Sequence, residues 1–273
     1  MDSLTRLLER LGVQAHLFYS GTLCESSGFT SDGRGHLHVL RAGELEVRIE
    51  GQDVHRFDEP TLLVLPRPLV HEFRPVSESG TELVCATLSF DGAGTSPILA
   101  SLPRFVFVPF REVAALAPVL QFLFDEAFQQ RFGATVTVNR TLEALLVLVL
   151  RYCVQQGLAK RGVLAALGDQ RLSLAIDAFH ARPEIDWTVE RLAEAANMSR
   201  AGFAAQFRDV VGESPAHYVT SVRLSMACKA LEAGVDPKRV ASRCGFSGAA
   251  SMSRTFKQRF GMTPRQWLAA KTN

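Results

Sequence analysis

The chain has few of the features that mark secreted or membrane-spanning proteins. Its five cysteines are odd in number and scattered, and no two of them form a CxxC pair, which argues against a disulfide framework. The most apolar run, Leu145 to Leu150, is far shorter than the ~18 residues that a membrane span needs. The N-terminal residues alternate in charge and lack the apolar segment of a secretory signal. We therefore expect a cytoplasmic protein with reduced thiols and no membrane partner, and a redox role of Cys24 or Cys85 stays open.

The whole sequence lacks a large excess of charge of one sign, but its C-terminal segment is clearly basic. The 273 residues include 30 basic and 28 acidic ones, a net charge of +2. Residues 1–170 carry 15 basic and 19 acidic residues, whereas residues 171–273 carry 15 and 9. Within the latter, residues 235–273 carry eight basic residues and one acidic residue. This basic C-terminal segment is typical of a surface that contacts nucleic-acid phosphates.

Residues from about 17 to 90 have the pattern of short β-strands separated by Gly, Pro and Asp. The clearest runs are 36–41 and 44–50, and Gly43 between them predicts a hairpin turn. In the second run Leu45, Val47 and Ile49 alternate with charged residues, which predicts one buried face. Further strands are predicted at 62–65 and 83–90. Many short strands with regular turns favour a barrel or a sandwich.

After Pro109 apolar residues recur at helical spacing, first over 113–127 and then over 142–153. A break at 131–138 separates the two segments, which predicts an antiparallel helical pair. The pair has more apolar surface than one barrel wall needs. Two interpretations stand side by side at this point: both helices cover the barrel, or part of their surface is a dimer interface.

The C-terminal third contains an internal repeat. The segment 193–199 (AxxxNxS) recurs 48 residues later as 241–247 (AxxxGxS). The segment 207–218 (FRxxVGxSPxxY) recurs 49 residues later as 256–267 (FKxxFGxTPxxW). The second copy therefore has one extra residue in its recognition segment.

Each repeated position has a mechanical role in a helix-turn-helix. The small residue lets two helices cross closely, the Asn or Gly turns the chain with a positive φ, and Ser199 or Ser247 caps the next helix. Apolar residues at i, i+4 and i+8 are predicted to face the core: Phe203, Phe207 and Val211 in the first copy, and Met252, Phe256 and Phe260 in the second. Two units are thus predicted, at about 188–211 and 236–260, and each presents a possible major-groove reader.

The repeat resembles the DNA-binding domain of the AraC/XylS family of bacterial transcription regulators. The resemblance covers residues 187–268 and rests on these motifs: Gly245-Phe246-Ser247, Phe256-Lys257, Phe260-Gly261 and Thr263-Pro264. The preceding segments 162–169 and 178–183 are similar to members with an N-terminal cupin-like domain. The resemblance implies that a long helix at about 215–233 joins the two units.

The implied fold class is α+β, with an N-terminal cupin-like β-barrel and a helical pair followed by an all-α domain with two helix-turn-helix motifs. The predicted boundaries are a sensor barrel at 1–110, a helical dimerisation and linker region at 111–165, and a DNA-binding domain at 171–273. The implied function is sequence-specific regulation of transcription and not catalysis. The implied partners are double-stranded promoter DNA, a second copy of the chain and RNA polymerase. Activation is the family expectation, and repression is the alternative.

The base-reading positions of the family fall on Ala201, Ala204 and Ala205 in the first unit and on Ala249, Ala250 and Arg254 in the second. Alanine can contact a thymine methyl group but cannot donate a hydrogen bond, so Arg254 is the best candidate for a bidentate contact with guanine. The remaining residues predicted to contact DNA are Ser199, Arg200, Ser247, Ser251 and Lys257. Shape readout or dimer spacing is expected to supply the rest of the specificity.

Three histidines in the β region resemble the metal-binding motifs of cupins. His36 and His38 share one face of a strand, and His71 follows at the spacing of a second strand pair. Glu44, the candidate acidic ligand, lies one residue farther from His38 than is usual, and Pro68 replaces an expected glycine. The histidines therefore either bind a divalent transition metal or line a pocket for a small organic effector. The alternative function is a metal-dependent cupin enzyme with an appended helical domain.

Overall fold

The computed structural model describes residues 3–30, 33–51, 54–90, 96–129 and 131–272. Within these ranges the strands are β1 Val13–Leu23, β2 Ser27–Phe29, β3 Gly35–Ala42, β4 Leu45–Ile49, β5 Val54–Phe57, β6 Thr61–Leu65, β7 His71–Pro75, β8 Thr81–Phe90 and β9 Val106–Pro109. The helices are α1 Ser3–Leu11, α2 Pro97–Ser101, α3 Leu116–Gln129, α4 Ala134–Gln155, α5 Val163–Gly168, α6 Gln170–Ala181, α7 Val189–Ala195, α8 Arg200–Val211, α9 Pro215–Glu232, α10 Pro237–Arg243, α11 Ala249–Phe260 and α12 Pro264–Thr272. None of the helices found in these ranges is long and apolar enough to cross a membrane.

The strands form two sheets that share a core. The five-stranded sheet has the order β1-β8-β3-β6-β9, and the four-stranded sheet has the order β2-β7-β4-β5. Side chains from both sheets meet in one buried cluster: Leu40, Leu45, Val47, Ile49, Leu63, Leu65, Leu69, Phe73, Leu83 and Cys85. The predicted alternation in the segment 44–50 is confirmed, since Leu45, Val47 and Ile49 are all fully buried. The strand-rich N-terminal part and the helical C-terminal part confirm the predicted α+β class.

The predicted hairpin at Gly43 is wrong. β3 pairs with β6 and β8, whereas β4 pairs with β5 and β7, so Gly43 takes the chain from one sheet to the other. Its φ is +90°, and a Cβ atom there would lie 2.5 Å from the carbonyl oxygen of Gly80. Glycine is needed on both counts. A period-2 pattern predicts that a segment is a strand but does not identify the strand with which it pairs.

The two long helices α3 and α4 pack against each other and against β1. The Oδ1 atom of Asn139 in α4 accepts a hydrogen bond from the backbone N–H of Leu17 at 2.8 Å. The interpretation that these helices cover the β structure is therefore confirmed for their inner faces. The connection is shorter than the predicted break, because Gly133 at φ +79° makes the turn and α4 begins at Ala134.

The chain forms two compact units that divide it differently from the predicted boundaries. One contains Val13–Ser89 and Leu102–Leu158, and the other contains Met1–Gly12, Phe90–Ser101 and Ala159–Asn273. In the compact unit that contains Ala159–Asn273, α1 packs on α6 and α9. There an Arg6 guanidinium nitrogen lies 2.6 Å from a carboxylate oxygen of Asp177. Local periodicity does not predict this packing, because Arg6 and Asp177 lie 171 residues apart in the chain.

Candidate DNA-binding surface and histidine cluster

The first helix-turn-helix unit consists of α7 and α8. Ala193 is buried, and Asn197 makes the turn with a φ of +54°. The hydroxyl of Ser199 caps α8 by accepting a hydrogen bond from the backbone N–H of Gly202 at 3.2 Å. The predicted turn at Asn197 and the predicted cap at Ser199 are thereby confirmed, and Ala193 is buried as expected.

The second unit consists of α10 and α11 and differs at the start of its recognition helix. Ala241 is buried and Gly245 has a φ of +76°, as the repeat predicts. However, Gly248 and not Ser247 occupies the N-cap position of α11, and no side chain caps this helix. The predicted cap at Ser247 is therefore wrong. The extra residue of the second repeat lies at this point and moves the helix start one position away from the serine.

Each unit has its own aromatic core, and α9 contributes to both. In the first unit Phe203 and Phe207 are buried, and the Phe207 ring lies 5.5 Å from that of Tyr218. In the second unit Phe256 is fully buried, 5.6 Å from the Trp267 ring. The two remaining members of the predicted core rows, Val211 and Phe260, are half-buried. The long joining helix predicted at about 215–233 is thus α9.

The residues predicted to contact DNA lie on the outer faces of the two units. Those that are exposed are Ser199, Arg200, Ala201, Ala205, Ser247, Ala250, Arg254 and Lys257. Those that are half-buried are Ala204, Ala249 and Ser251. Arg200 forms an ion pair with Glu190, whereas Arg254 and Lys257 form none with any residue that the structure describes.

The three predicted histidines converge from the two sheets. His36 and His38 extend from β3 and His71 begins β7, and one nitrogen of each lies within 4.8 Å of the others. All three side chains are buried. The Nε2 atoms of His38 and His71 are only 2.9 Å apart.

The hydrogen bonds of the cluster define its protonation. The Nδ1–H of His71 donates to the carbonyl oxygen of Leu69 at 2.8 Å, so a neutral His71 has its lone pair on Nε2, facing His38. The buried Nδ1 atom of His38 has no hydrogen-bond partner among the described residues. Burial and the imidazoles of His71 and His36 hold the pKa of His38 well below its ordinary value. Burial also lowers the pKa of His71 to about 4, so both rings are neutral at pH 7.

This cluster fits a divalent transition metal. Neutral imidazoles are the form that ligates metal, and a hydrogen bond from the other ring nitrogen, such as that of His71 to Leu69, orients such a ligand. Glu44 does not belong to the cluster. It lies just before β4, and its exposed carboxylate pairs with Arg56 at 2.6 Å. Its alternation with the buried Leu45 already placed it on the outer face.

Aromatic residues around the histidines were not predicted. The Phe29 ring stacks on His71 with a centroid distance of 4.7 Å, and Phe73 meets His38 at 4.6 Å. A cavity of about 320 Å³ opens beside His71; it is lined by Gly28, Phe29, Thr30, Arg48, Glu50, Val70, His71 and Glu72. Its size suits a small molecule. Phe29 lies beside His71 because β2 pairs with β7, and the short sequence of β2 does not predict that pairing.

The two cysteines left open for a redox role, Cys24 and Cys85, are free thiols in different environments. Cys24 is exposed and Cys85 is buried in the sheet core. Burial raises the pKa of the Cys85 thiol, which keeps it protonated and a poor nucleophile.

Comparisons with known proteins agree along the whole chain. A family model described as cupin matches residues 2–155, and one described as helix-turn-helix domain matches residues 192–270. The RCS-specific HTH-type transcriptional activator RclR of Escherichia coli is 28% identical, over 98% of this chain and 97% of that protein. An uncharacterized HTH-type transcriptional regulator of Haemophilus influenzae is 26% identical over the same shares. A putative AraC-like transcription regulator of Streptomyces antibioticus is 30% identical, over 67% of this chain and 61% of that protein.

Proposed function

From the premise that this chain belongs to the cupin family and is a transcription regulator with an AraC-type DNA-binding domain, we propose that it binds operator DNA sequence-specifically through both α8 and α11. The observation that carries the proposal is the pair of helices α8 and α11. Each packs through two buried side chains on an equivalent core and leaves its outer face exposed. Two such helices in one compact unit suit successive major grooves about one turn, ~34 Å, apart.

The experiment is selection of bound duplexes from a random pool, followed by titration of the selected operator at several salt concentrations. We expect a two-part site and an affinity that falls steeply with salt. The variant Lys257→Glu, on α11, is expected to lose most of this affinity. Its matched control is Arg104→Glu, an exposed charge reversal in the sheet-containing unit, which is expected to bind as the wild type does. Selection of no sequence, or equal losses in both variants, would contradict the proposal.

We further propose that the unit with the two sheets senses a divalent metal or a small molecule at the histidine cluster. The support is the trio of buried imidazoles, the low pKa values of His38 and His71, the unpartnered Nδ1 of His38 and the adjoining cavity. A bound metal would be held by nitrogen atoms of His36, His38 and His71 and would supply a Lewis-acidic centre there. Sensing is favoured over catalysis because the relatives matched over nearly the whole chain are named as regulators.

Elemental analysis of protein purified without an affinity tag tests this site. We expect about one transition-metal ion per chain in the wild type and a clear loss in His36→Gln. His16→Gln is the control, because His16 is exposed and lies outside the cluster. Clearly substoichiometric metal in the wild type would exclude metal sensing and leave the cavity as a site for an organic effector.

We propose thirdly that the chain forms a homodimer through the outer surface of the α3–α4 pair. Phe122 and Val136 are 49% and 65% exposed, and Phe122 borders a groove of about 480 Å³. Exposed apolar groups of this size are typical of an interaction surface. Sedimentation analysis is expected to show a dimer that dissociates in Val136→Asp. Leu174→Asp, which changes an apolar residue 47% exposed in the other unit, is expected to stay dimeric.

A further inference from the structure

Helix α9 passes through both helix-turn-helix cores, and Arg223 lies where it leaves one and enters the other. On its N-terminal side Tyr218 and Val222 are buried, and Tyr218 packs on the ring of Phe207 in the first core. On its C-terminal side Leu224, Ala227, Cys228 and Leu231 belong to the buried cluster of the second core. Arg223 itself is half-buried between these two sets.

The guanidinium of Arg223 binds the segment that leads into the first unit. Its Nε–H donates to the carbonyl oxygen of Pro183 at 3.1 Å, and its Nη2 donates to that of Ile185 at 2.6 Å. This segment continues directly into Thr188, which caps α7 by accepting from the backbone N–H of Arg191. Two hydrogen bonds from one planar group fix both the position and the orientation of the segment.

The turn of the second unit touches the same point. A Cβ atom built on Gly245 would lie 2.4 Å from the Pro183 carbonyl oxygen and 2.7 Å from Nη2 of Arg223. The entry to the first unit, the joining helix and the turn of the second unit therefore meet at Arg223, and only glycine fits between them. Close contact of this kind converts a shift of one unit into a shift of the other.

We propose that Arg223 is a positioning residue that sets the spacing and orientation of the two recognition helices, and so the half-site separation that the protein accepts in its operator. The proposal rests on the proposed function, in which α8 and α11 read two half-sites of one operator. Arg223 is not one of the predicted DNA contacts, and it acts through the backbone carbonyls of Pro183 and Ile185. A change of one base pair between half-sites moves one of them by ~3.4 Å along the axis and by about a tenth of a turn.

The experiment measures the affinity of the full chain for four duplexes: the operator selected by the wild type, the same operator with one base pair added between its half-sites, and two versions in which one half-site is randomised. The wild type is expected to reject the longer spacer by about tenfold or more. Arg223→Met keeps the aliphatic length and removes both hydrogen bonds. It is expected to lose about tenfold on the selected operator and most of the discrimination against the longer spacer, while its affinity for each single half-site stays within about twofold.

Two further variants make the result decisive. Arg223→Lys keeps the charge and can donate to one carbonyl, so it is expected to restore part of the spacing discrimination, and it serves as the readout if Arg223→Met fails to fold. Arg104→Met is the matched control, because it removes an arginine-to-carbonyl hydrogen bond, to Glu50 at 2.8 Å, in the other unit. Unchanged spacing discrimination in Arg223→Met, or equal losses on the single half-sites, would overturn the positioning role while leaving the proposed function intact. A wild type that selects no two-part operator would overturn both.

Discussion

The two helix-turn-helix units share a scaffold but differ in the surface that they present. In both, a buried alanine, a positive-φ turn residue and two buried core side chains place the recognition helix in the same way. The first unit, 188–211, carries three basic and three acidic residues, whereas the second, 236–260, carries six basic residues and one acidic residue. A duplicated core therefore fixes where a helix lies, and its exposed residues determine separately how strongly it binds DNA.

The difference extends to single positions. Arg200 of the first unit is paired with Glu190, and the predicted base-reading positions of that unit are alanines. Arg254 and Lys257 of the second unit are exposed and form no ion pair with a described residue. We infer that the second unit supplies most of the affinity and the clearest base readout, and that the first unit contributes shape and methyl contacts.

The largest expected effect tests whether the two cores are equivalent. Phe207→Ala and Phe256→Ala each remove a fully buried ring, so each is expected to lower the free energy of unfolding by about 3 to 5 kcal/mol. Trp187 and Trp267 are the two tryptophans of the chain, and they lie beside the first and second cores respectively. Denaturant unfolding followed by fluorescence in single-tryptophan backgrounds measures each unit. A loss below about 1 kcal/mol in one of them would show that its core is not a true copy.

The second prediction separates the reading surfaces. Arg254→Ala is expected to cost about 1 to 3 kcal/mol of binding free energy and to relax specificity at one base pair. Arg200→Ala, at the start of the first recognition helix, is expected to leave base preference unchanged, because its guanidinium is paired with Glu190. Binding titrations against operators substituted at single base pairs provide the measurement. An unchanged base preference in Arg254→Ala would refute its assignment.

The third prediction concerns phosphate contacts at equivalent repeat positions, Arg208 and Lys257. Lys257→Ala is expected to weaken binding to all sequences and to reduce the slope of log affinity against log salt by about 1. Arg208→Ala is expected to change that slope less, because its surroundings are electrically balanced. The slopes come from titrations at four or more salt concentrations, and a larger change for Arg208→Ala would reverse the comparison.

The smallest expected effect comes from the helix starts. Ser199→Ala is expected to destabilise the first unit by about 1 kcal/mol, because its hydroxyl accepts from the backbone N–H of Gly202. Ser247→Ala is expected to change stability by no more than about 0.5 kcal/mol, because Gly248 starts α11 without a side-chain cap. Thermal unfolding of both variants measures the difference. Equal destabilisation would show that Ser247 caps its helix after all.

The repeat predicted both units because their turns and cores depend on residues close in the chain. Asn197 and Gly245 carry the positive φ that the spacing implies. The one-residue insertion was visible in the offsets, but its consequence for the cap at Ser247 was not, since either Ser247 or Gly248 is a sterically acceptable helix start. Long-range features were harder to predict. The sheet change at Gly43 and the packing of α1 depend on partners distant in the sequence.

The histidine cluster lies between these cases. His36, His38 and His71 were predicted from their resemblance to the metal-binding motifs of cupins, and in the structure one nitrogen of each lies within 4.8 Å of the others. The aromatic surroundings and the cavity beside His71 were missed, because they depend on the pairing of the short strand β2 with β7. Arg223 gave no sequence clue either, since its partners are backbone carbonyls.

The most direct test of the central comparison is a scan of the selected operator, in which every base pair is substituted and the loss of affinity is measured for the wild type and for Arg254→Ala. We expect most of the specificity free energy to lie in one half-site and Arg254→Ala to reduce it there, which would assign that half-site to the second helix-turn-helix unit. Equal losses in both half-sites, or larger losses in the half-site that Arg254→Ala does not affect, would contradict the account.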